Sequence, residues 1–522
     1  MNEYRPPSKI EFLPAVMAVY VIIITGGMLL VYHDYYYDIL ETKFTYYCVC
    51  TAAMLIVTGC YLFLTAHPLA SIKSWQEKKF FQIISPADLF VLIWGLIIIL
   101  STVLSPVRAA AFTGSQGRYT GCLLLMLYIL SYFCITRYYR LKEWHMALFL
   151  TAGLLMCLFG ITDFFDLDLL HFKEEIKETQ RYMFSSTIGN INTYTSCVAM
   201  VMAFAGVMFA SSDKIWKTAG YGICTAIAFI ALILGESDNA YLSLAAFFGL
   251  LPFYLFRTRT GVKRYLVLVS GFLTAAKGIA VVQNALEGKV VPIHGLFQVI
   301  ADYKYLTVVL VGLWCLTTAA YLIPPRKTAS GVSDAVSPWF VRSWLLLVVF
   351  IVFLVIIACY QVNVSPDTDR YGNFRNYLLF GDEWGTHRGY IWRIGLENYK
   401  NFPLTQKIFG YGPDTFGIVT KSNNYQEMVQ RYNEIFDSAH NEYLQYLVTI
   451  GPFGLLAYVA VHGAAVIQVI KEKRNQPVYV AVLFAVLCYA FQAFVNINQP
   501  IAAPVMWTLL AISLSECHRL QR

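Results

Sequence analysis

Apolar runs of about 17–22 residues recur along almost the whole sequence. Each is long enough to cross the roughly 30 Å hydrocarbon core of a bilayer as a helix. In lipid every backbone N–H and C=O must be satisfied internally, which leaves helices or closed barrels. Continuous apolar runs exclude a barrel, whose strands alternate residue by residue. Composition agrees: of 522 residues, 58% are hydrophobic and only 14% charged, with a mean hydropathy of +0.56. A soluble protein of this size carries far more surface charge. The expected fold class is all-α and polytopic, with about 14 transmembrane helices and a large extracytoplasmic loop containing short helices.

The expected spans are 13–32, 44–66, 88–104, 120–136, 144–163, 192–211, 216–235, 239–256, 265–286, 304–323, 341–360, 450–470, 478–495 and 501–516. The first has no small-residue cleavage site behind it and reads as a retained span. Loop charge then alternates. Lys73/Lys78/Lys79, Arg137/Arg140/Lys142, Lys214, Arg257/Arg259/Lys263/Arg264, Arg326/Lys327 and Lys471/Lys473/Arg474 share one side, cytoplasmic by the positive-inside rule. Both termini fall there. The outer side holds 33–43, 105–119, 163–191, 287–303 and 361–449. This divides the chain into 1–360 with eleven spans, 361–449 as an extracytoplasmic catalytic loop, and 450–522 with three spans. The last loop is rich in Trp, Tyr and Phe, which argues for order, with short helices at about 386–400 and 438–449. The twelve cysteines lie almost entirely inside spans, as small hydrophobes do, so neither a disulfide framework nor a Cys-based metal site is expected. The net charge of +7 sits in short inner loops and does not point to nucleic acid.

Outward-facing arginines are the more informative cations. Arg118 lies in FTGSQGRYTG, Arg181 in the second outer loop, and Arg388 and Arg393 in WGTHRGYIWR. Guanidinium is always charged and grips phosphate oxygens with a planar fork, so several converging on one pocket suit a diphosphate. The bland alternative is a set of headgroup or surface ion pairs. His440 opens SAHNEYLQYLVTIGPFGLLAY, where the long outer loop meets the bilayer, and it can titrate near neutral pH. It suits accepting a proton from an attacking hydroxyl, or orienting that hydroxyl. Ser438 suits an N-cap of the following helix. Asn441 suits either sugar hydroxyls or a cap. Asn190 and Asn192, in GNIN, are further sugar-binding candidates, and Trp384 and Trp392 suit stacking on sugar faces or an interfacial role. GYGPDTF, Gly410–Phe416, reads as a tight turn. Lys277 is an intramembrane ionisable residue, functional or snorkelling. Glu236 and Asp238, in LGESDNAYL, read as solvated turn residues. No P-loop or HExxH occurs, and no DxD-like signature lies in a cytoplasmic loop, so a nucleotide-driven pump and an inner-face enzyme using nucleotide sugars are unsupported.

From about residue 88 onward the chain resembles the O-antigen ligase and O-antigen polymerase superfamily of bacterial membrane glycosyltransferases. The likeness rests on GSQGRYTG, GNIN, WGTHRGYIW, GYGPDTF and above all AHNEYLQYLVTIGPFGLLAY, in that order. It implies a C-type glycosyltransferase without metal or other cofactor. Such an enzyme takes a glycan from a polyprenyl-diphosphate-linked oligosaccharide and passes it to a glycan, lipid or protein acceptor. The site would lie on the outer face of the bacterial cytoplasmic membrane, among membrane lipids. By the same resemblance His440 is the motif histidine, Arg388 engages the diphosphate, and Arg118 and Arg181 assist. Two departures stand out: Ile191 replaces the proline of the usual GNPN, and ESDNA lacks the arginine often found at that turn. The alternative class is a lipid-linked oligosaccharide flippase or polysaccharide exporter, and a third is a polymer-binding sensor or scaffold. A transporter would line the bilayer with polar groups, whereas here polar residues concentrate in one outer loop.

Overall fold

The computed structural model describes residues 12–65, 84–115, 117–323, 326–328, 331–364 and 369–515. The inner loop with Lys73, Lys78 and Lys79 lies outside them. Ten helices among the described residues are long and apolar enough to cross a membrane: Phe12–Leu30, Ile39–Thr65, Pro86–Leu104, Glu143–Phe165, Ile191–Ser211, Ile215–Leu234, Arg259–Ala285, Trp339–Val364, Glu442–Glu472 and Pro477–Val495. The protein is thus an all-α multi-pass membrane protein. An eleventh arises if Gly295–Ala301 and Leu306–Leu322, bent by 72° from one another, are one span. Three more apolar helices, Cys122–Tyr138, Ala240–Leu255 and Ala503–Leu514, have 17, 16 and 12 residues. They fall short of the roughly 20 residues of an ordinary span.

The centre of the bundle is Ile191–Ser211, whose apolar window is 94% buried. Its alanines and Gly206 let neighbouring helices approach closely, as packing in lipid requires. Pro477–Gln492 and Ile215–Leu234 lie against it. At the other extreme, Trp339–Val364 is only 6% buried and faces lipid on nearly all sides. Several charged groups inside the bundle have partners. Asp88 closes a capping box with Ser85 at the start of its helix, and Arg137 reaches its carboxylate at 2.9 Å. Lys43 is fully buried and donates to the Met28 carbonyl at 2.6 Å, near the end of the first helix. Lys277 is half-buried on Arg259–Ala285.

The segment from Asp369 builds a small core of its own. Tyr390, Ile391, Ile394, Phe416, Val419 and Met428 pack with Leu444 and Val448 of the Glu442–Glu472 helix. Its helices are Arg375–Leu378, Trp384–Asn401, Leu404–Phe409 and Phe416–Tyr432. The helix expected near 386–400 is present. The segment 438–449 is helical from Glu442, as the outer part of Glu442–Glu472. Its cap is Asn441, whose Oδ1 accepts from Tyr443 N and Leu444 N at 3.0 Å, so the capping role expected of Ser438 falls to Asn441.

One break shapes the whole site. Gly451 takes φ 75° and ψ 176° within Glu442–Glu472, and Pro452 has no N–H to give Val448. A straight helix would hold residues 442 and 458 about 24 Å apart. Instead Tyr458 Oη donates to Glu442 Oε1 at 2.7 Å, so the first arm folds back on the second. The carbonyls freed by the break are taken up by the GYGPDTF turn. Tyr411 N donates to Val448 O at 3.0 Å and Gly412 N to Thr449 O at 2.9 Å. Gly410, at φ 76°, lies where a Cβ would run into the Thr449 carbonyl.

Candidate active site

His440 sits just before the cap, with a backbone φ of 46° that a non-glycine residue rarely adopts. Both flanks hold it there. Ala439 N donates to Gln445 Oε1 at 2.9 Å, Ala439 O accepts from Trp392 Nε1 at 3.0 Å, and Asn441 starts the helix. The ring is largely covered yet stays partly open, and its nitrogens have no hydrogen-bond partner among the described residues. Burial pulls its pKa down to about 3, the charges of Arg388 and Arg118 add to this, and Asp437 opposes it. The imidazole is therefore neutral at pH 7, with a lone pair to offer.

Two guanidiniums thus act on the same ring, and they are held differently. Arg118 forks onto Asp437, with Nε and Nη2 at 3.1 and 2.7 Å from its two oxygens. Burial opposes ionisation of Asp437, but this grip holds its carboxyl below the usual range. Among the described residues Arg388 has no carboxylate within hydrogen-bond reach: Nη1 donates to Gly385 O at 3.0 Å, Nη2 to Asn239 Oδ1 at 3.3 Å, and the buried Nε has no partner. Burial lowers its pKa and nearby Asp238 raises it, and a guanidinium remains charged. The sequence explains its placement. Gly385, Thr386 and His387 are all left-handed, which turns the chain into the helix at Arg388, and Gly389 lies where a Cβ would strike the Gly381 carbonyl.

The motifs hold one another. Asp414 of GYGPDTF accepts from Ser115 N and Thr120 N at 2.6 and 3.1 Å, which fixes the GSQGRYTG loop around Arg118. Burial pushes the Asp414 carboxyl up to about 6. The ESDNA turn provides an acceptor for Arg388 in Asn239, where an arginine was noted as missing. Asn192 Oδ1 accepts from Ser237 Oγ and Asn239 Nδ2 at 2.7 and 3.0 Å, and Asn190 caps Ile191–Ser211. Both asparagines therefore buttress the turn behind Arg388.

The other sequence candidates lie as follows. Arg393 is bound to Asp382, Glu397 and Glu427 at 3.0–3.3 Å and lies 5.1 Å from the Tyr390 ring centre. Arg181 lies apart from His440, in a cavity of ≈ 250 Å³ with Lys173, Glu178 and Glu236, and donates to the Ile176 and Glu174 carbonyls. Trp384 packs on Trp392 at 5.2 Å and donates to Tyr377 O. Glu236 lines that cavity rather than standing free in solvent, with His294 Nδ1 at 3.5 Å.

Residues 307–459 match the family model described as O-antigen ligase. These residues form an O-antigen ligase domain within the multi-pass membrane chain. The matched stretch holds WGTHRGYIW, GYGPDTF and the His440 segment through Tyr458, while Arg118, Arg181, Asn190 and Asn192 precede it. A comparison with curated proteins gives no match. Sequence reasoning missed four residues that build the candidate site: Asp437, Asp414, Asn239 and Glu442. Glu442 is fully buried and accepts from Tyr458, Tyr489 and Asn498 at 2.7–3.2 Å, which anchors the helix two residues after His440. A carboxylate directly beside the motif histidine, leading into an apolar helix, was the available signal.

Proposed function

We propose that the ligase transfers a glycan from a polyprenyl-diphosphate-linked donor to an acceptor hydroxyl at the outer face of a bacterial cytoplasmic membrane, with inversion and without a metal. The observation that carries this is the convergence of an unpaired Arg388, a forked Arg118 and a neutral His440. The acceptor oxygen attacks the anomeric carbon while the bond to the diphosphate breaks, and the electron pair leaves on the diphosphate. Arg388, with no carboxylate of its own, stabilises that charge, and Arg118 assists by sharing its fork with Asp437. His440 takes or orients the hydroxyl proton. Burial holds His440 at low basicity, and the two cations that face it add to this. A bound diphosphate neutralises them, so acceptor activation follows donor binding.

The cytoplasmic termini and the catalytic role of 361–449 are part of this reading. So is a count of fourteen spans, reached if the bent pair and the three shorter apolar helices also cross. Their agreement with the alternating loop charge supports it. The test is reconstitution in vesicles with a defined carrier-linked oligosaccharide and acceptor. His440→Ala is expected to keep donor binding and lose transfer, and Arg388→Ala to lose both. Folded variants with full transfer activity overturn the assignment, and lipid movement without new glycosidic bonds overturns the enzyme reading.

A further inference from the structure

We propose that the inner ends of three helices form a binding site for an anionic phospholipid of the cytoplasmic leaflet. Ala240–Leu255, Glu442–Glu472 and Pro477–Gln492 enclose a slot of ≈ 260 Å³. Its deep end is apolar, with Leu250, Phe484 and Leu487. Its rim carries Tyr254, Arg257 and Arg474. Both arginines stand just past the ends of their helices, in the loops that the positive-inside rule makes cytoplasmic. Leu487 lies ten residues into its helix from Pro477. That is about 15 Å, the depth of one leaflet.

Neither Arg257 nor Arg474 belongs to an ion pair among the described residues. Arg137, by contrast, is neutralised by the Asp88 carboxylate at 2.9 Å. An apolar slot open at headgroup level, with two unneutralised guanidiniums on its rim, matches a molecule with an acyl chain below and a phosphate above. A zwitterionic lipid fills the slot but brings a cation to the arginines as well. A free phosphate meets the arginines but gains nothing from the slot. Charge complementarity and depth together therefore select an anionic lipid.

Native mass spectrometry of the whole protein in neutral detergent tests this, titrating phosphatidylglycerol and phosphatidylcholine with identical acyl chains. Phosphatidylglycerol is expected to bind roughly tenfold or more tightly. Arg257→Gln/Arg474→Gln removes that preference. Leu487→Trp, which fills the slot and keeps both arginines, weakens phosphatidylglycerol binding in a protein of unchanged elution profile. Millimolar inorganic phosphate leaves the lipid bound. Equal affinity of the unmodified protein for the two lipids overturns the proposal. So does unchanged phosphatidylglycerol binding in both variants, or displacement by inorganic phosphate.

Discussion

Gly410→Ala is the sharpest test of how the site is held. Gly410 is at φ 76°, and an added Cβ would meet the backbone of Thr449 and Ile450, which cannot rotate away. Alanine in the left-handed region costs about 1–2 kcal/mol. Overlap in a packed site costs about 1–3 kcal/mol. If the turn lifts off to relieve the overlap, two backbone hydrogen bonds go, Tyr411 N to Val448 O and Gly412 N to Thr449 O. Each is worth about 1 kcal/mol net. Thr449 O keeps Ser101 Oγ at 2.9 Å, so only the Val448 carbonyl is stranded. Overlap and lift-off are alternatives, so with the backbone strain the effect is roughly 3–4 kcal/mol, a substantial share of the 5–15 kcal/mol of a typical protein. Because Asp414 leaves with the turn, the Arg118 loop loosens and transfer falls with stability. Denaturation in mixed micelles measures the first effect, and glycan transfer in vesicles the second. Gly463→Ala, in the same helix with no heavy atom near its added Cβ, is the control and should be close to neutral. If Gly410→Ala unfolds within about 1 kcal/mol of the parent and transfers glycan normally, the docked-turn reasoning is wrong.

Three further outcomes are expected. With His440 held down to about 3 in the empty site, protonation inactivates the free enzyme only at strongly acid pH, whereas diphosphate binding raises that pKa. The acid limb of kcat should lie at higher pH than that of kcat/KM for donor, and coincident limbs would refute the coupling. Asp414 has a folded pKa pushed up to about 6, above its unfolded value, so folding disfavours its ionised form. Stability should therefore fall as pH rises from about 4 to about 6, by roughly 3 kcal/mol, and Asp414→Asn should abolish that step in unfolding measured at both ends. Arg393→Gln should loosen the partly exposed Asp382, Glu397 and Glu427 cluster by about 1 kcal/mol and leave donor affinity unchanged. Tenfold weaker donor binding at unchanged stability would instead place Arg393 on the diphosphate.

The helices were legible because lipid imposes a length and an apolarity that local sequence displays directly. The run at 341–360 is the plainest case, and Trp339–Val364 is the helix that buries least against protein. Helix ends were less legible. Glu442–Ile450 joins the span below it, and neither the sharpness of the Gly451 bend nor its docking partner can be read from the Gly-Pro pair alone. His440, Arg388 and Arg118 carry local motif signatures, and the structure brings the charges of both arginines to the ring. Their partners carry none. Asp437 faces Arg118 across 319 residues, and Asn239 faces Arg388 across 149. Contacts of such separation depend on tertiary packing, which local periodicity does not encode. Arg393 shows the converse: a motif position suited to phosphate that long-range folding surrounds with three carboxylates.

The fold-back at Gly451 also limits how this region can vary in length. Glu442 lies nine residues before the break and Tyr458 seven after it, yet their side chains meet. One residue inserted into either arm would turn its side chain by about 100° around the helix and point it elsewhere. A whole added turn would restore the direction but displace the side chain by about 5.4 Å along the axis, beyond hydrogen-bond reach. The interval from His440 to Tyr458 therefore works as a ruler with no spare division. Insertions beyond Lys473, past the inner end of the same helix, leave it untouched.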